Sequence, residues 1–490
     1  MSRDRDPLHS KQKEDCRPPR PWRHPQDHYL SPVRRVEAQA TDPAARLVAL
    51  TFEDGPTAAP PRPDLSSARW HGNSGPHSHR LGTAPRGAGI TEIILEMLAA
   101  YGAGATFAVV GTAGEDDGGL VGVAARPDLV RRILEAGHEL ANHSWRHLPF
   151  GPVPGQPRRR WDRDAAGAEV VRLHEEVLER FGYTFRLGRP PHLVDGAGET
   201  PPAFAVYEGL GYDYLGLGVE AGGGGPSSGS YDADVEAIVL GLQRRLEKDG
   251  RALSGKVVSF HEGYDAGGRS PVVTALPRVL QLLRNYGYRA VTVSALLEAS
   301  PFADLSPDDP FWAPAHDLLR RGWWVTYRSG EVRPGQPLVR GELAVWASWG
   351  GVLAGPRGGR GHASQAAQAP TGPDRPGPDP TAPPLYADVP AAHPYRRHVE
   401  EAARRRLWEG LRLPGGRPTA PDARGSRVFG LLDPVGPDEF REVMRRAGLS
   451  VGELRGDPGP RHGLGPGVVS HGEAVVAIAD ALATPAAPTT

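Results

Sequence analysis

From Arg46 to about Ser300 the chain alternates short β-rich runs with amphipathic helical stretches, and few folds accept that alternation so many times. The runs are LVALTF (47–52), ATFAVV (105–110), YDYLGL (212–217), KVVSF (256–260) and YRAVTV (288–293). Between them lie TEIILEMLAAYG, PDLVRRILEAG, AAGAEVVRLHEEVLERFG, DADVEAIVLGLQRRLEKDG and ALPRVLQLLRNYG, each closing on the glycine that suits the left-handed position after a helix. Parallel strands need a crossover, usually a helix, so the pattern predicts an α/β fold built on a parallel barrel or wound sheet. In such folds active residues gather where the strands end.

At 490 residues the chain exceeds what one hydrophobic core supports, and composition shifts divide it. Residues 1–45, rich in Arg, Pro, His and Asp, are expected to be disordered. Residues 46–300 form the α/β domain, interrupted at 57–89 by a Pro-, Gly-, Ser- and His-rich insertion beside the first strand end. Its His71, His77 and His79 are expected to face solvent. A Gly-, Pro- and Ala-rich linker (351–384) then separates a unit at 301–350 from another at 385–484. The arginine runs at 158–160 and 404–406 read as solvated faces.

With 57 basic and 58 acidic residues, the surface has no overall field to gather nucleic acid or acidic lipid. Cys16 is the single cysteine, which excludes a disulfide framework or a thiolate metal cluster within one chain. No run approaches the roughly 20 apolar residues of a membrane span, and the first residues lack the apolar core of a signal peptide, so the N-terminus as written does not support export.

The first strand runs into Glu53-Asp54-Gly55-Pro56, two adjacent carboxylates with a Gly-Pro turn behind them. One could bind a metal while the other takes a proton; an ordinary Asp-Gly turn is the plainer alternative. Beyond Gly137 comes HELANHSWRH (138–147), where His143 and His147, four apart, would face one way on a helical turn. Two imidazoles and one carboxylate on separate strand ends make a three-ligand metal site with open positions.

LTFEDGP (50–56), ATFAVVG (105–111), EAGHELANHSWRH (135–147), RPP (189–191), VVSFHE (257–262) and LLRNYGYRAVTVSALL (282–297) together resemble the NodB-type polysaccharide deacetylases, carbohydrate esterase family 4. The resemblance implies a distorted (β/α) barrel that hydrolyses N-acetyl groups of N-acetylglucosamine-containing polysaccharide, peptidoglycan or chitin-like. It implies a divalent metal, Zn2+ in most members, on Asp54, His143 and His147. Glu53 takes the place of the catalytic base, Arg189 that of the Arg orienting it, and His261 that of the His protonating the leaving amine. Glu220 falls near the carboxylate tuning that His, and the backbone amide of His192 near the oxyanion. Ser259 stands where the family has Leu against the acetate. Glu replaces Asp at 53 and 262, and no Trp follows Glu220. These departures leave an alternative in which the domain is a weakly active or inactive part of a cell-wall-binding protein.

In the C-terminal region, Phe302-Ala303-Asp304, Trp312, Ala315, Gly322 and GEVRPGQPLVRGELAVWA (330–347) resemble an S-layer homology module. That resemblance implies contact with secondary cell-wall polymer through Arg340 and Glu342. Tyr386-Ala387-Asp388-Val389-Pro390 with PYRRHVEEAARRRLWEG (394–410), and GPGVVSHGEAVVAIADAL (465–482) with His471 at the motif Arg, resemble degenerate further copies. A cell-wall or extracellular location follows from these modules, in tension with the N-terminus.

Overall fold

The computed structural model describes residues 29–41, 45–59, 88–112, 120–150, 163–193, 202–216, 218–222, 230–262, 270–353, 385–390, 393–409, 411, 429–454 and 468–483. The expectations for residues 60–87, 158–160, 354–384 and Cys16 lie outside them. The strands are β1 Arg35–Val36, β2 Leu47–Gly55, β3 Thr106–Val109, β4 Glu139–Asn142, β5 Leu187–Gly188, β6 Asp213–Leu215, β7 Val219–Gly222, β8 Val257–His261 and β9 Arg289–Val291. The helices around them are α1 Ile90–Tyr101, α2 Pro127–Glu135, α3 Arg163–Phe181, α4 Pro202–Leu210, α5 Tyr231–Lys248, α6 Pro271–Asn285 and α7 Val293–Ala299. All pairings are parallel, in the order β1-β6-β5-β4-β3-β2-β8-β7, with β9 also on β2. This curled parallel sheet agrees with the expected distorted barrel.

Side chains alternate across a strand, so each β residue is committed to one face. On β2, Val48, Leu50 and Phe52 point outward into the core shared with the helices, where Phe52 stacks on Phe107 and Phe260. Leu47 and Ala49 point inward to a second core with Ala108, Ala141, Leu187, Leu215 and Val257, closed by Val293, Leu296 and Leu297 of α7. Continuing the inward phase, Thr51 meets Ser259 hydroxyl to hydroxyl at 3.0 Å. One step further are Glu53 on β2 and His261 on β8, paired in register.

Residues 29–40, expected to be disordered, instead form an ordered strap. Leu30, Val33 and Val36 are buried, and the backbone finds partners in existing edges. β1 pairs with β6, Val257 N donates to Glu37 O (3.0 Å), and Gln39 N donates to Gly255 O (2.8 Å). The strap thus spans β6 to β8 at the base of the sheet. The few aliphatic residues of this segment suffice because the sheet supplies its hydrogen bonds.

The C-terminal helices α8 Trp312–Arg320, α9 Arg340–Leu353, α10 Arg396–Arg404, α11 Pro437–Arg446 and α12 His471–Ala483 share one core. Three backbone bonds close a ring: Leu338 N to Val469 O (2.8 Å), Val435 N to Leu338 O (2.9 Å) and Val469 N to Val435 O (2.9 Å). Two residues after each ring member a helix begins, at Arg340, Pro437 and His471, and two further on stands Glu342, Glu439 or Glu473. Glu342 and Glu473 cap their own helices, accepting from Val339 N (3.1 Å) and Ser470 N (2.8 Å). Asp304 and Asp388 correspond as well, each accepting backbone amides from the segment leading to its second helix. The region is therefore a threefold-repeated head.

The role expected for Arg340 and Glu342 on an external polymer is corrected by this geometry. Arg340 is fully buried, with Nε 2.6 Å from Glu439 Oε1, and Nη1 bonded to Phe429 O (2.9 Å) and Asp433 (3.2 Å). Its guanidinium is consumed in joining one repeat to the next. Glu342 is buried beneath Tyr327, whose hydroxyl donates to it at 2.8 Å.

Two head histidines are held in the neutral form. Burial holds His471 down to about 4, against the pull of Glu342, and it lies 5.4 Å from the Tyr327 ring and 4.8 Å from that of Trp346. Burial and then Arg397 hold His398 down to about 4. Unfolded histidine titrates near 6.5, so between that pH and about 4 the unfolded chain binds more protons and stability falls as pH falls. The melting temperature of the chain is expected to drop across this window, and His471→Leu to lessen the drop. An equally steep dependence in the variant would contradict a buried neutral His471.

Candidate active site

Parallel-strand phase delivers the site. The inward positions at the strand ends are Glu53 (β2), His143 just past β4, Arg189 just past β5 and His261 (β8). His143 and His147 do not share a helical turn. They sit on an irregular segment after β4, in which Ser144 (φ 70) and His147 (φ 54) take left-handed backbone. Ser144 N donates to Asn142 Oδ1 (3.0 Å), and His147 N to Ser144 Oγ (3.1 Å), so local polar side chains replace helical bonds.

Asp54, also left-handed (φ 71), carries its Oδ1 to 3.2 Å from His143 Nε2 and 3.1 Å from His147 Nε2. The three ligand atoms lie within 4.8 Å of one another. His143 Nδ1 is 2.8 Å from the carbonyl of Arg189; because a carbonyl only accepts, Nδ1 carries the hydrogen and the Nε2 lone pair faces the Asp54 carboxylate. Two lone pairs pointed at each other repel unless a proton or cation lies between. Burial depresses the His143 pKa despite the hydrogen bond to Asp54, which disfavours the proton. For Asp54, burial opposes the charged form, but bonds from His143 and His147 hold its carboxyl well below the usual range. Two imidazoles and an ionised carboxylate are the donor set of a divalent cation.

Beside this triad Glu53 is almost fully buried, its Oε1 3.0 Å from Arg189 Nη2 and its Oε2 3.6 Å from His261 Nε2. Burial would push the Glu53 carboxyl up; Arg189, then His261 and His143, outweigh it and leave the carboxyl below its ordinary value. Arg189 is itself fixed by the carbonyls of Gly216 (2.6 Å) and Leu215 (3.2 Å). Glu220 Oε1 lies 3.6 Å from His261 Nδ1. Burial lowers the basicity of His261, but Glu220 first and then Glu53 and Asp54 raise its pKa to about 9. An ionised carboxylate and a protonated imidazole thus face each other across the barrel mouth.

His192 caps one side, its backbone left-handed (φ 61) in the short 3-10 turn Pro191–Leu193 and its ring 4.6 Å from that of His147. Ser259 is different. It is wholly buried one layer below Glu53 and His261 with its hydroxyl on Thr51, so it forms the barrel floor rather than a substrate-facing wall.

One support escapes sequence reasoning, and a second enters it only as Glu in place of Asp. Tyr207 on α4 donates from its hydroxyl to the Arg189 carbonyl at 2.8 Å, the same atom that orients His143. Glu262 is fully buried, burial and then the nearby Asp54 charge raising its carboxyl to about 8 while the Thr91 hydroxyl bonded to it pulls the other way. Tyr207 belongs to no recognisable sequence spacing, and Glu262, although it closes the VVSFHE motif beside His261, has contacts that only the packing reveals.

Residues 40–214 match the family model described as polysaccharide deacetylase. The chain is similar to the peptidoglycan-N-acetylglucosamine deacetylase of Bacillus cereus, 27% identical over 209 residues, covering 42% of this chain and 81% of that protein. It is also similar to a bifunctional xylanase/deacetylase of Pseudobutyrivibrio xylanivorans, 24% identical over 254 residues, covering 52% of this chain and 31% of that protein. Among solved structures it resembles the peptidoglycan deacetylase PdaC from Bacillus subtilis, 22% identical with a TM-score of 0.35 over 58% of this chain and 99% of that one. It also resembles a pseudoenzyme of carbohydrate esterase family 4 from Bacillus anthracis, 15% identical with a TM-score of 0.36 over 55% of this chain and 70% of that one. Residues 40–214 therefore match a polysaccharide deacetylase domain, and the chain is a hydrolase acting on amide bonds of N-acetyl groups.

Proposed function

We propose that the chain removes N-acetyl groups from N-acetylglucosamine units of a cell-wall polysaccharide, peptidoglycan foremost, with Zn2+ on Asp54, His143 and His147. The observation that carries this reading is a pair of groups held in opposite protonation states beside a cation-binding donor set. Glu53 is kept ionised by Arg189 and His261 is kept protonated by Glu220, 3.6 Å from each other's reach. Pushing two neighbouring titratable groups apart in this way assigns a base and an acid. Nitrogen and carboxylate donors suit zinc, which when bound polarises an acetyl carbonyl and acidifies water.

Glu53 takes a proton from water as its oxygen adds to the acetyl carbon. The amide N–H of His192 would serve the oxygen that becomes negative, as a preorganised donor stabilises charge at its moment of formation. His261 gives its proton to the sugar nitrogen as the carbon–nitrogen bond breaks, leaving acetate and a free amine. Arg189 holds Glu53 in place and ionised throughout. The relative from Bacillus cereus, whose name is that of a peptidoglycan deacetylase, supports a wall substrate. The repeated head supports a wall-bound or extracellular location through modules like those of S-layer proteins, with secondary wall polymer as a partner, though not through Arg340. Among the described residues no helix is long and apolar enough to cross a membrane.

Three outcomes test this reading. His143→Ala or His147→Ala is expected to abolish tight zinc binding in equilibrium dialysis and acetate release with it, because two protein ligands rarely hold a catalytic metal. Glu53→Gln should keep the ion and lower turnover about 100-fold or more, the usual contribution of a general base; full activity in that variant would remove Glu53 from the role. The pH dependence follows from His261. An acid must be protonated to act, so kcat/KM is expected to fall as pH rises through about 9, and Glu220→Gln, which removes the main neighbour raising His261, should shift this limb to lower pH. An unmoved limb would detach Glu220 from His261.

A further inference from the structure

Among the described residues, the barrel mouth contains one buried acid to which the reaction assigns no work. Glu262 follows His261 at the end of β8, is wholly buried, and its amide donates to the Glu53 carbonyl at 2.8 Å. Its side chain turns under the paired-acid segment to the first turn of α1, where Thr91 Oγ1 donates to Oε2. Thr91 Oγ1 in turn accepts from Thr57 N at 2.8 Å, and Thr91 N donates to Thr57 O at 3.2 Å. A directed chain of hydrogen bonds therefore runs from the amide of Thr57 through a hydroxyl to Glu262.

The other oxygen, Oε1, is buried with no hydrogen-bond partner among the described residues. It lies against Gly55, where an added Cβ would stand 2.0 Å from Oε1 and 2.3 Å from the carboxyl carbon. Gly55 does not have the positive φ that would otherwise call for glycine. Space, not backbone conformation, excludes a side chain there, and the occupant of that space is the Glu262 carboxyl. The residues between these contacts are Glu53, Asp54 and Gly55, and Asp54 holds a left-handed backbone (φ 71) without a glycine's freedom.

We propose that Glu262 is a positioning residue for the metal-ligating turn: its carboxyl fills the side-chain space of Gly55 and ties residues 53–57 to β8 and α1, which holds the Asp54 carboxylate toward His143 and His147. The proposal rests on the reading of these three residues as metal ligands. Groups that orient a ligand from behind commonly matter to affinity as much as tenfold to a hundredfold when removed.

The test uses the full chain with Co2+ as the probe, followed by its visible absorption, and amide exchange of the peptide covering residues 50–58 in metal-free protein. Glu262→Ala is expected to weaken Co2+ binding by about 10- to 100-fold and to speed exchange in that peptide, while Glu262→Gln, which keeps the shape and accepts from Thr91, restores most of the affinity. Gly55→Ala alone should weaken Co2+ binding through the clash, and Gly55→Ala combined with Glu262→Ala should bind better than the sum of the two losses predicts, since the new methyl enters the vacated space. Thr91→Val, a gentler change should Glu262→Ala fail to fold, should weaken binding in the same direction. A merely structural Glu262 would lower the melting temperature and leave the Co2+ affinity of the folded protein unchanged, as would strict additivity of the two substitutions; either result overturns the proposal. If the wild-type chain takes up no Co2+ while Glu262→Ala still speeds exchange at 50–58, the metal reading fails and the clamp stands; unchanged exchange would end both.

Discussion

The buried ion pair between Glu53 and Arg189 is the interaction on which the barrel mouth depends. A carboxylate this deep costs several kcal/mol to leave unpaired, so its neighbours must be chosen for it. Arg189 meets the need only because the carbonyls of Leu215 and Gly216 hold its other nitrogen and Tyr207 holds its carbonyl. The same carbonyl fixes the tautomer of His143. Glu53 and His143 are thus both set by one residue, whose side chain and backbone are engaged in different directions. Loss of Arg189 would be felt at Glu53 and at the Asp54 site together.

Much of this was legible in the sequence because parallel strands impose a phase. Once LVALTF is a strand with Val48, Leu50 and Phe52 packed outward, Glu53 must face inward, and the same logic carries His261 on VVSFH. The motif residues that the resemblance indicated, Asp54, His143, His147, Arg189, His192, Glu220 and His261, do converge. What sequence spacing could not yield were contacts set by left-handed turns. The interval between His143 and His147 suggests a helix, yet Ser144 and His147 leave the right-handed region and polar side chains take over the backbone bonding. Tyr207 arrives from a helix with no recognisable pattern, and the packing of Glu262 against Gly55 and Thr91 is not written in the motif that holds it.

Composition misled at the N-terminus for a related reason. A segment poor in aliphatics is expected to stay unfolded because it cannot bury enough surface, but Leu30, Val33 and Val36 are buried where sheet and head both offer unfilled backbone partners. Leu30 bridges to Tyr327, and Arg328 of the head pairs with Glu208 of α4, so strap, barrel and head meet along one seam. In the head, the repeat legible as FAD and YAD closes through a ring of three backbone bonds. Arg340, expected to meet an external polymer, faces Glu439 because the repeats pack with their helix starts against one another.

The central claim is that this constellation hydrolyses an acetamide with a divalent ion in place. Acetate release by the intact chain from an N-acetylglucosamine oligomer, followed through chelation and return of Zn2+, tests it most directly. Steady release that stops with the chelator and resumes with the ion is expected. Folded, zinc-loaded protein that frees no acetate from the oligomer or from peptidoglycan would contradict it.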